Sequence, residues 1–293
     1  MIYVITGPTS TGKDRIAIDL AKRIGGEIIN ADAFHVYRQL DIGTNKPRES
    51  DFQGIRHHLF SYVDVDETYS IARYQKDARS LIEKLLAKKI PLIMLGGSGL
   101  YIKAALFDYR FREEKTVDMS VYEAMENKQL HDALAAVDPT SANKIHPNNR
   151  RRVLRALSIY FAQNIKKSDI PIHKDGNPIY DTMFFAVEFD RAEVYLAISN
   201  RVHRMISEGL VEEVEKLIAK YGDYQQAFNA IGYKEIIEHL HGEATLEEAI
   251  NKIITNTRNY SKRQTTFFRH QFSLSWIRSA DDIIKIIEDG KTT

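Results

Sequence analysis

The sequence contains no cysteine among its 293 residues. This excludes disulfide bonds, thiolate zinc sites and a cysteine nucleophile, and it is typical of a protein from the reducing cytoplasm. No apolar run approaches the roughly 18 residues that a membrane-spanning helix needs. The first residues, MIYVITGP, also lack the basic region and the long apolar region of a signal peptide. We therefore expect a cytoplasmic protein that does not bind membranes.

The chain also lacks an excess of charge of either sign. It has 41 Lys and Arg residues and 40 Asp and Glu residues, which give a formal net charge of +1. A net charge this small provides no general attraction to nucleic acids, so a polyanionic partner would have to bind a local basic surface. The length allows one large domain or two modest ones.

The N-terminal segment carries a glycine-rich motif, GPTSTGKD, at residues 7–14. The preceding run IYVIT predicts a buried strand, residues 13–23 have the apolar spacing of a helix, and EIINAD at 27–32 predicts a second strand. Between a strand and a helix, such a loop surrounds phosphate groups with backbone N–H groups, and Lys13 adds a positive charge. The sequence therefore predicts a phosphorylated ligand at this loop.

The last position of this motif departs from the usual pattern. A Ser or Thr hydroxyl normally follows the lysine and binds magnesium, whereas here the residue is Asp14. A carboxylate about 4 Å from a phosphate charge would cost roughly 4 kcal/mol at an effective dielectric of about 20. As a magnesium ligand it would bind better than a hydroxyl, and as a cap of its own helix it would have little effect. We expect Asp14 to bind Mg²⁺ directly.

The alternation of elements predicts an α/β fold with a P-loop NTPase-like parallel sheet flanked by helices. A helix is expected at 69–88, and LIML at 92–95 predicts a third strand. Beyond about residue 110 the pattern is mostly helical, with a strand at 184–190. The predicted segments are helices at 120–137, 149–163, 191–221, 229–241, 245–271 and 280–289, with the segment 138–148 separating the first two. We expect a core of residues 1–110 and 181–293 and a mostly helical insertion domain at 111–180.

Two strand ends carry residues of chemical interest, because ligands of such sheets bind at the carboxyl ends of the strands. Asp32 ends the second strand, where it could bind magnesium, accept a proton or cap a turn. The third strand ends in Gly96, Gly97 and Ser98 instead of the acidic magnesium ligand of nucleotide hydrolases. The two glycines allow either close approach to a ligand or tight packing.

Two basic segments could bind a polyanion. NNRRRVLR places Arg151, Arg152 and Arg155 on a helix of the insertion, and TRNYSKRQTTFFRH spreads Arg258, Lys262 and Arg263 among aromatic residues. Basic side chains contact phosphates and aromatic rings stack on unpaired bases. A solvated face of an amphipathic helix is the alternative interpretation of each segment.

Taken together, the motifs resemble the tRNA dimethylallyltransferase family. The matching segments, spread over nearly the whole chain, are GPTSTGK, NADAFHVYRQLDIGTNKP, HHL, GGSGLYIKA, DPTSANKIHPNNRRRVLRAL, AIGYKE and TRNYSKRQTTFFR. The resemblance implies transfer of a dimethylallyl group from dimethylallyl diphosphate to N6 of the adenosine 3′-adjacent to the anticodon of a tRNA. It implies Mg²⁺ as cofactor and tRNA and dimethylallyl diphosphate as partners. We expect a monomer.

The resemblance also implies roles for individual residues. Asp32 matches the carboxylate that accepts the N6 proton, Thr9 matches a threonine near the bridging oxygen of the donor, and Lys13 completes the catalytic set. The diphosphate would bind Gly7, Pro8, Thr9, Ser10, Thr11, Gly12, Lys13 and Asp14. The tRNA, held at its anticodon arm by the insertion, would contact Asp32, Ala33, Phe34, His35, Ser98, Arg151, Arg152, Val153, Leu154, Arg155, Arg258, Lys262 and Arg263.

Several residues near the expected ligands depart from the family pattern. Besides Asp14, Ala33 replaces a Ser, His35 replaces a Gln that is frequent there, and Ser98 replaces a Thr. The segment between Tyr101 and Asp138 is also shorter than usual. A matching scaffold with an altered pocket is typical of a diverged paralogue.

Three other functions remain open. The acceptor could be AMP or ATP, although a free nucleotide would not need the basic insertion. A small-molecule kinase could use the same loop, but no acidic residue follows the third strand. A tRNA-binding paralogue with weakened catalysis is the third alternative, and the presence of Lys13, Asp32 and Thr9 disfavours it.

Overall fold

Parallel strands joined by helices form the larger of two compact units. The computed structural model describes residues 1–109, 111, 117–169 and 176–290. One unit comprises Met1–Asp108 and Asn177–Thr293, and the other comprises Tyr109–Gly176. The sequence placed these boundaries at 110/111 and 180/181, a few residues away.

The sheet has six strands in the order β3-β2-β4-β1-β5-β6, and every neighbouring pair is parallel. The strands are β1 (Ile2–Thr6), β2 (Glu27–Asn30), β3 (His57–His58), β4 (Leu92–Leu95), β5 (Thr182–Val187) and β6 (Ser275–Ile277). The predicted parallel α/β fold is confirmed. Strands β3 and β6 were missed, because two or three residues are too few to show the period-2 pattern of a strand.

The helices of the larger unit flank this sheet. They are α1 (Lys13–Ile24), α2 (Ile71–Ala87), α3 (Gly99–Leu106), α8 (Arg191–Ser207), α9 (Leu210–Tyr221), α10 (Tyr233–Leu240), α11 (Leu246–Gln271) and α12 (Ala280–Asp289). The single helix expected at 191–221 is two helices, because Gly209 has a φ of 99° that an α-helix cannot contain. No helix in the described residues is long and apolar enough to cross a membrane.

Alternating side chains of the central strand β1 supply two layers of core. Ile2 and Val4 join residues of α2, α3, α10 and α11 on one face. Tyr3 and Ile5 join residues of α1 and α12 on the other face. Because both faces are covered, the strands read as continuous apolar runs. Because β1, β2 and β4 are parallel, the loops that follow them meet at one edge of the sheet. This is the edge at which the sequence predicted the ligand.

The smaller unit is helical and has its own apolar core. Its helices are α4 (Ser120–Glu123), α5 (Asn127–Val137), α6 (Pro139–Lys144) and α7 (Arg150–Gln163). Its core is formed chiefly by Leu130, Leu134, Val153, Ala156 and Leu157. Two expectations are corrected: the segment 120–137 forms two helices, and the segment 138–148 contains α6. Asp138 followed by Pro139 at the first helical position is a helix-start signal that could have predicted α6.

Asp138 is the most buried carboxylate among the described residues of the smaller unit, with 1% of the residue exposed. One oxygen accepts a hydrogen bond from Ser141 N at 3.0 Å and the other accepts one from Ser168 N at 3.0 Å. Burial raises the pKa of Asp138, but the hydrogen bonds from Ser141 and Ser168 outweigh it and lower the pKa to about 2. The ionised carboxylate therefore joins the start of α6 to the segment at Lys167–Asp169.

We expect Asp138→Asn to destabilise the smaller unit by about 1–2 kcal/mol at pH 7. A pKa that is lower in the folded state adds stability above the unfolded pKa of about 3.9, and this stability is lost as the pH falls through the folded value. Hydrogen exchange of α5 to α7 at pH 7 and at acidic pH would measure the effect, with Asp132→Asn on the exposed face of α5 as control. If the difference in exchange protection between Asp138→Asn and wild type is as large at acidic pH as at pH 7, this account is wrong.

Candidate active site

A cavity of about 1780 Å³ opens at the carboxyl ends of β1, β2 and β4. Its walls come from the phosphate loop, the segments after β2 and β3, and helices α8 and α11. Among the predicted residues that line it are Thr9, Ser10, Gly12, Lys13, Asp14, Asp32, Phe34, His35 and Arg263. Every lining residue belongs to the larger unit.

The predicted phosphate loop connects β1 to α1. Gly12 has a φ of 75° at the N-cap position of α1, and Thr11 Oγ1 donates a hydrogen bond to Pro8 O at 2.9 Å. Ser10 Oγ is buried, yet it has no hydrogen-bond partner among the described residues. A buried hydroxyl without a partner costs free energy, so this oxygen is suited to an anionic ligand. Gly7, Pro8 and Thr11 form the loop without lining the cavity.

Asp14 is exposed in the first turn of α1, and no hydrogen bond joins its carboxylate to another of the described residues. The capping alternative for this carboxylate is therefore not observed. Its negative charge instead lies close enough to raise the pKa of both His57 and Arg201, although burial is the larger effect on each and lowers the pKa of both.

The described residues contain no cluster of three or more His, Cys, Asp or Glu side chains suited to a metal ion. Magnesium commonly binds to proteins through one or two carboxylates, with substrate phosphates and water as its other ligands. Asp14 beside the phosphate loop fits that type of site.

The backbone around Asp32 fixes the direction of its carboxylate. The side chain of Asn30, only 1% exposed, accepts a hydrogen bond from Asp32 N at 2.8 Å and donates to Asp32 O at 3.0 Å. Asp32 Oδ1 accepts a hydrogen bond from Phe34 N at 2.9 Å. Asn30 was not among the predicted site residues, although a buried amide at a strand end is a recognisable signal.

The pKa of Asp32 reflects opposing effects. Burial is the largest effect and raises the pKa, whereas the charge of His35 and the hydrogen bond from Phe34 N lower it. The charges of Lys13 and Arg201 lower it further, and the net result is a pKa below the ordinary value of 3.8. Asp32 is therefore an ionised carboxylate at neutral pH, held among positive charges.

Arg201 on α8 is a functional candidate that sequence reasoning missed. It donates through Nη1 to Thr9 Oγ1 at 2.6 Å and through Nη2 to Thr44 O at 3.0 Å. Burial lowers its pKa to about 10, against the charges of Asp32 and Asp14, so the guanidinium stays protonated at neutral pH. The buried stripe of α8 includes Val194, and Arg201, seven residues later, lies on that stripe. An arginine on an apolar face was the available signal.

Helix α11 brings Tyr260 and Gln264 to the cavity. Gln264 Oε1 accepts a hydrogen bond from Thr9 N at 3.1 Å, and Gln264 Nε2 donates to Gly97 O at 2.9 Å. A Cβ on Gly97 would lie 2.0 Å from Gln264 Nε2, and one on Gly96 would lie 2.3 Å from the backbone of residue 31. These two glycines are thus explained by close packing within the protein.

Ser98 and Tyr260 lie beside Asp32. Ser98 Oγ accepts a hydrogen bond from Ala33 N at 3.1 Å. Burial and the nearby charge of Asp32 raise the pKa of Tyr260 to about 12, despite its hydrogen bonds with Ser98 and Gln264. Tyr260 therefore presents a neutral hydroxyl next to the Asp32 carboxylate.

Aromatic rings form one wall of the cavity. The His35 ring stacks on Phe60 with centroids 5.8 Å apart, and the His57 ring stacks on Phe52 at 3.8 Å. His35 Nε2 donates to Thr44 O at 3.2 Å, and His57 Nδ1 donates to Ile55 O at 2.8 Å. Because burial lowers the pKa of His57, its ring is neutral at pH 7. This wall suits an apolar or planar group.

Of the predicted basic residues of α11, Arg263 lines the cavity, and Arg258 and Lys262 lie over a neighbouring tyrosine. Arg263 lies over the ring of Tyr260 at 5.7 Å. Arg258 and Lys262 lie 5.3 and 5.9 Å from the ring centroid of Tyr195, and Arg191 approaches the same ring at 5.4 Å. Within the described ranges, no carboxylate pairs with these cations. The additional residues Tyr195 and Arg191 were not predicted.

The insertion displays its predicted arginines on α7. Arg151, Arg152 and Arg155 are exposed, and burial together with the charges of Arg152 and Arg155 lowers the pKa of Lys167. Lys167 thus belongs to the same positive surface, although it was not predicted. Val153 is completely buried in the core of the smaller unit and Leu154 is half-buried against it. The Val153 side chain is therefore not accessible for the predicted tRNA contact.

Comparison with known proteins agrees with the motifs. A family model described as IPP transferase matches residues 35–271. The tRNA dimethylallyltransferase of Desulforudis audaxviator (strain MP104C) is 43% identical over 282 residues, which cover 94% of this chain and 91% of the relative. That of Anoxybacillus flavithermus (strain DSM 21510 / WK1) is 40% identical over 286 residues, with 97% and 92% covered.

Solved structures give the same result. The crystal structure of tRNA delta(2)-isopentenylpyrophosphate transferase from Staphylococcus epidermidis has a TM-score of 0.73 and 33% identity, with 98% of both chains covered. A eukaryotic dimethylallyltransferase acting on tRNA has a TM-score of 0.77 and 28% identity, with 94% of this chain and 73% of that chain covered. The resemblance that the motifs indicated is confirmed. The chain belongs to the IPP transferase family, the family of the tRNA dimethylallyltransferases.

Proposed function

We propose that this chain transfers a dimethylallyl group from dimethylallyl diphosphate to N6 of the adenosine 3′-adjacent to the anticodon of a tRNA, with release of diphosphate. The observation that carries the proposal is the content of one cavity. It holds a phosphate loop, an ionised carboxylate at Asp32, and a protonated Arg201 bound to Thr9. These are the groups that an amine, an allylic carbon and a departing diphosphate need.

The leaving group would bind at the phosphate loop. Its oxygens would accept hydrogen bonds from the loop backbone, from Ser10 Oγ and from Lys13. Thr9 Oγ1 and Arg201, which are joined by a hydrogen bond, would stabilise the negative charge that the bridging oxygen gains as its bond to C1 breaks. Fixed donors at the point where charge develops stabilise a transition state more than the ground state.

The acceptor adenine would enter beside Asp32. As N6 forms a bond to C1 of the dimethylallyl group, the nitrogen becomes positively charged and its proton passes to the Asp32 carboxylate. The aromatic wall would shield the allylic carbon from water. The adenine must leave its base stack to reach the cavity, and stacking partners lower that cost.

The tRNA would bind to basic surfaces of both units. In the larger unit these are Arg258, Lys262 and Arg263, and in the insertion they are Arg151, Arg152 and Arg155, with Lys167. We propose that the insertion holds the anticodon arm. The protein would act as a monomer in the cytoplasm.

We propose Mg²⁺ as the cofactor, held by Asp14 and by diphosphate oxygens. When bound, it supplies positive charge to the leaving diphosphate. We expect Asp14→Ser to raise the magnesium concentration required for half-maximal rate about tenfold, because a hydroxyl is a weaker ligand than a carboxylate. Single-turnover rates across a magnesium titration measure this shift.

The matched control for this variant is Asp19→Ser, which removes an exposed carboxylate from the same helix outside the cavity. It should leave the magnesium curve unchanged. If Asp14→Ser gives the wild-type curve as well, Asp14 is not a metal ligand.

The proposal is tested by single-turnover transfer from labelled dimethylallyl diphosphate to an anticodon stem-loop that carries A36 and A37. Label in the stem-loop that disappears in Asp32→Ala supports it. Label in AMP or ATP with none in the stem-loop would indicate an adenylate prenyltransferase instead. Tight, salt-dependent stem-loop binding without transfer would indicate a tRNA-binding protein with weakened catalysis.

A further inference from the structure

A loop at residues 41–46 lines the candidate cavity and contacts Glu213 of helix α9, which also lines it. The roles described above do not explain this loop. The loop is closed on itself by backbone hydrogen bonds from Lys46 N to Asp41 O at 2.9 Å and from Asn45 N to Ile42 O at 2.9 Å. Thr44 Oγ1 also donates to Leu40 O at 2.6 Å. The loop is therefore a compact structure that can be positioned as one body.

The carboxylate of Glu213 on α9 holds this loop through its backbone. Glu213 Oε2 accepts hydrogen bonds from Asp41 N at 3.2 Å and Ile42 N at 2.8 Å. Glu213 Oε1 accepts hydrogen bonds from Gly43 N at 3.1 Å and from the Tyr233 hydroxyl at 2.5 Å. A single carboxylate thus uses both oxygens on four donors, and charge-assisted bonds of this kind are the stronger ones in proteins.

Close packing makes the position of the loop specific. A Cβ on Gly43 would lie 2.4 Å from the ring of Tyr233, which is completely buried. Only glycine lets the loop come this close to α10. This contact joins DIGTNKP, the C-terminal end of the motif that begins with NAD at residue 30, to AIGYKE, a motif to which no catalytic role was assigned.

Thr44, on the same loop, contacts two residues of the candidate active site, Arg201 and His35. Thr44 O accepts a hydrogen bond from Arg201 Nη2 at 3.0 Å and one from His35 Nε2 at 3.2 Å. Arg201 Nη1 in turn donates to Thr9 Oγ1 at 2.6 Å. The contacts therefore run without interruption from Glu213 through the loop to Arg201 and Thr9.

We propose that Glu213 is a positioning residue that sets the orientation of the Arg201 guanidinium by holding the loop 41–46. The inference rests on the proposed function, because Arg201 acts there on the leaving diphosphate. Without the Glu213 carboxylate, Thr44 O is no longer fixed. Arg201 then loses the acceptor that aims it at Thr9, while its charge remains.

The test uses the affinity of the protein for inorganic diphosphate, which does not require the transfer reaction. We expect Glu213→Gln to weaken this affinity about tenfold and Arg201→Met to weaken it at least as much. The double variant should be no weaker than Arg201→Met alone, since residues that act through one group are not additive. Glu212→Gln removes the same charge at the exposed neighbouring position and should bind diphosphate like wild type.

A different result is expected if Glu213 only stabilises the fold. In that case the losses of diphosphate affinity from Glu213→Gln and Arg201→Met multiply in the double variant, and the proposal is overturned. Wild-type affinity in Glu213→Gln overturns it equally. Tyr233→Phe removes one donor and keeps the three backbone donors, so it should weaken diphosphate binding far less than Glu213→Gln.

The diphosphate assay also separates the two proposals. Wild-type protein that binds diphosphate but transfers no dimethylallyl group would refute the proposed function and leave the coupling between Glu213 and Arg201 measurable. If wild type transfers the dimethylallyl group but the effects of Glu213→Gln and Arg201→Met on diphosphate binding are additive, only the role of Glu213 is refuted.

Discussion

Asp32→Asn is expected to reduce the single-turnover rate of prenyl transfer by about 10²–10⁴-fold, the contribution typical of a general base. An asparagine can still accept the hydrogen bond from Phe34 N that orients the side chain. It cannot take a proton from N6. The affinity for the anticodon stem-loop should therefore change little, and the loss should appear in the rate of the chemical step.

The control for Asp32→Asn is Asp66→Asn, which makes the same change at an exposed position outside the cavity. It should transfer the dimethylallyl group at the wild-type rate. Full activity in Asp32→Asn would show that another group, or water, accepts the proton.

The pH dependence follows from the direction of the Asp32 pKa. Burial raises this pKa, but His35, Phe34 N, Lys13 and Arg201 together hold it below 3.8. The carboxylate is therefore ionised throughout the neutral range. The single-turnover rate should not fall between about pH 8 and pH 6 through protonation of Asp32.

The parts of the site that sequence predicted are those formed by neighbouring residues. The strand, glycine loop and helix at residues 2–24 follow from apolar periodicity and from the phosphate-binding pattern, which are both local. Asp32 was found because a parallel sheet brings the ends of β1 and β2 to one edge. In each case the pattern lies within the first 32 residues, and only the general rule for parallel sheets is needed in addition.

The parts that sequence missed depend on contacts between distant segments. Arg201 and Thr9 are 192 positions apart, and Gln264 reaches Thr9 across 255 positions. Strand β3 has two residues and exists because it pairs with Ile28 and Ile29, so its own sequence carries no strand pattern. Val153 was assigned to the tRNA contacts on the family resemblance, although helical spacing turns its side chain into the core.

Arg201→Met is expected to lower the single-turnover rate by about 10²–10³-fold, a loss of about 3–4 kcal/mol in transition-state stabilisation. The guanidinium donates to Thr9 Oγ1, where the bridging oxygen of the donor would gain charge, and methionine fills much of the same space without a charge. The variant also removes one of the charges that lower the pKa of Asp32. The acid limb of the rate should consequently move to higher pH.

These two effects distinguish Arg201 from a residue that only maintains the fold. A structural variant lowers the fraction of active protein and leaves the pH profile of the remaining rate unchanged, whereas loss of Arg201 changes both the rate and its acid limb. Arg278→Gln serves as control, since that guanidinium lies on the surface with 83% of its side chain exposed. If Arg201→Met keeps the wild-type rate per active site, the bridging oxygen is stabilised without Arg201, and Lys13 becomes the principal positive charge that the protein supplies to the leaving group.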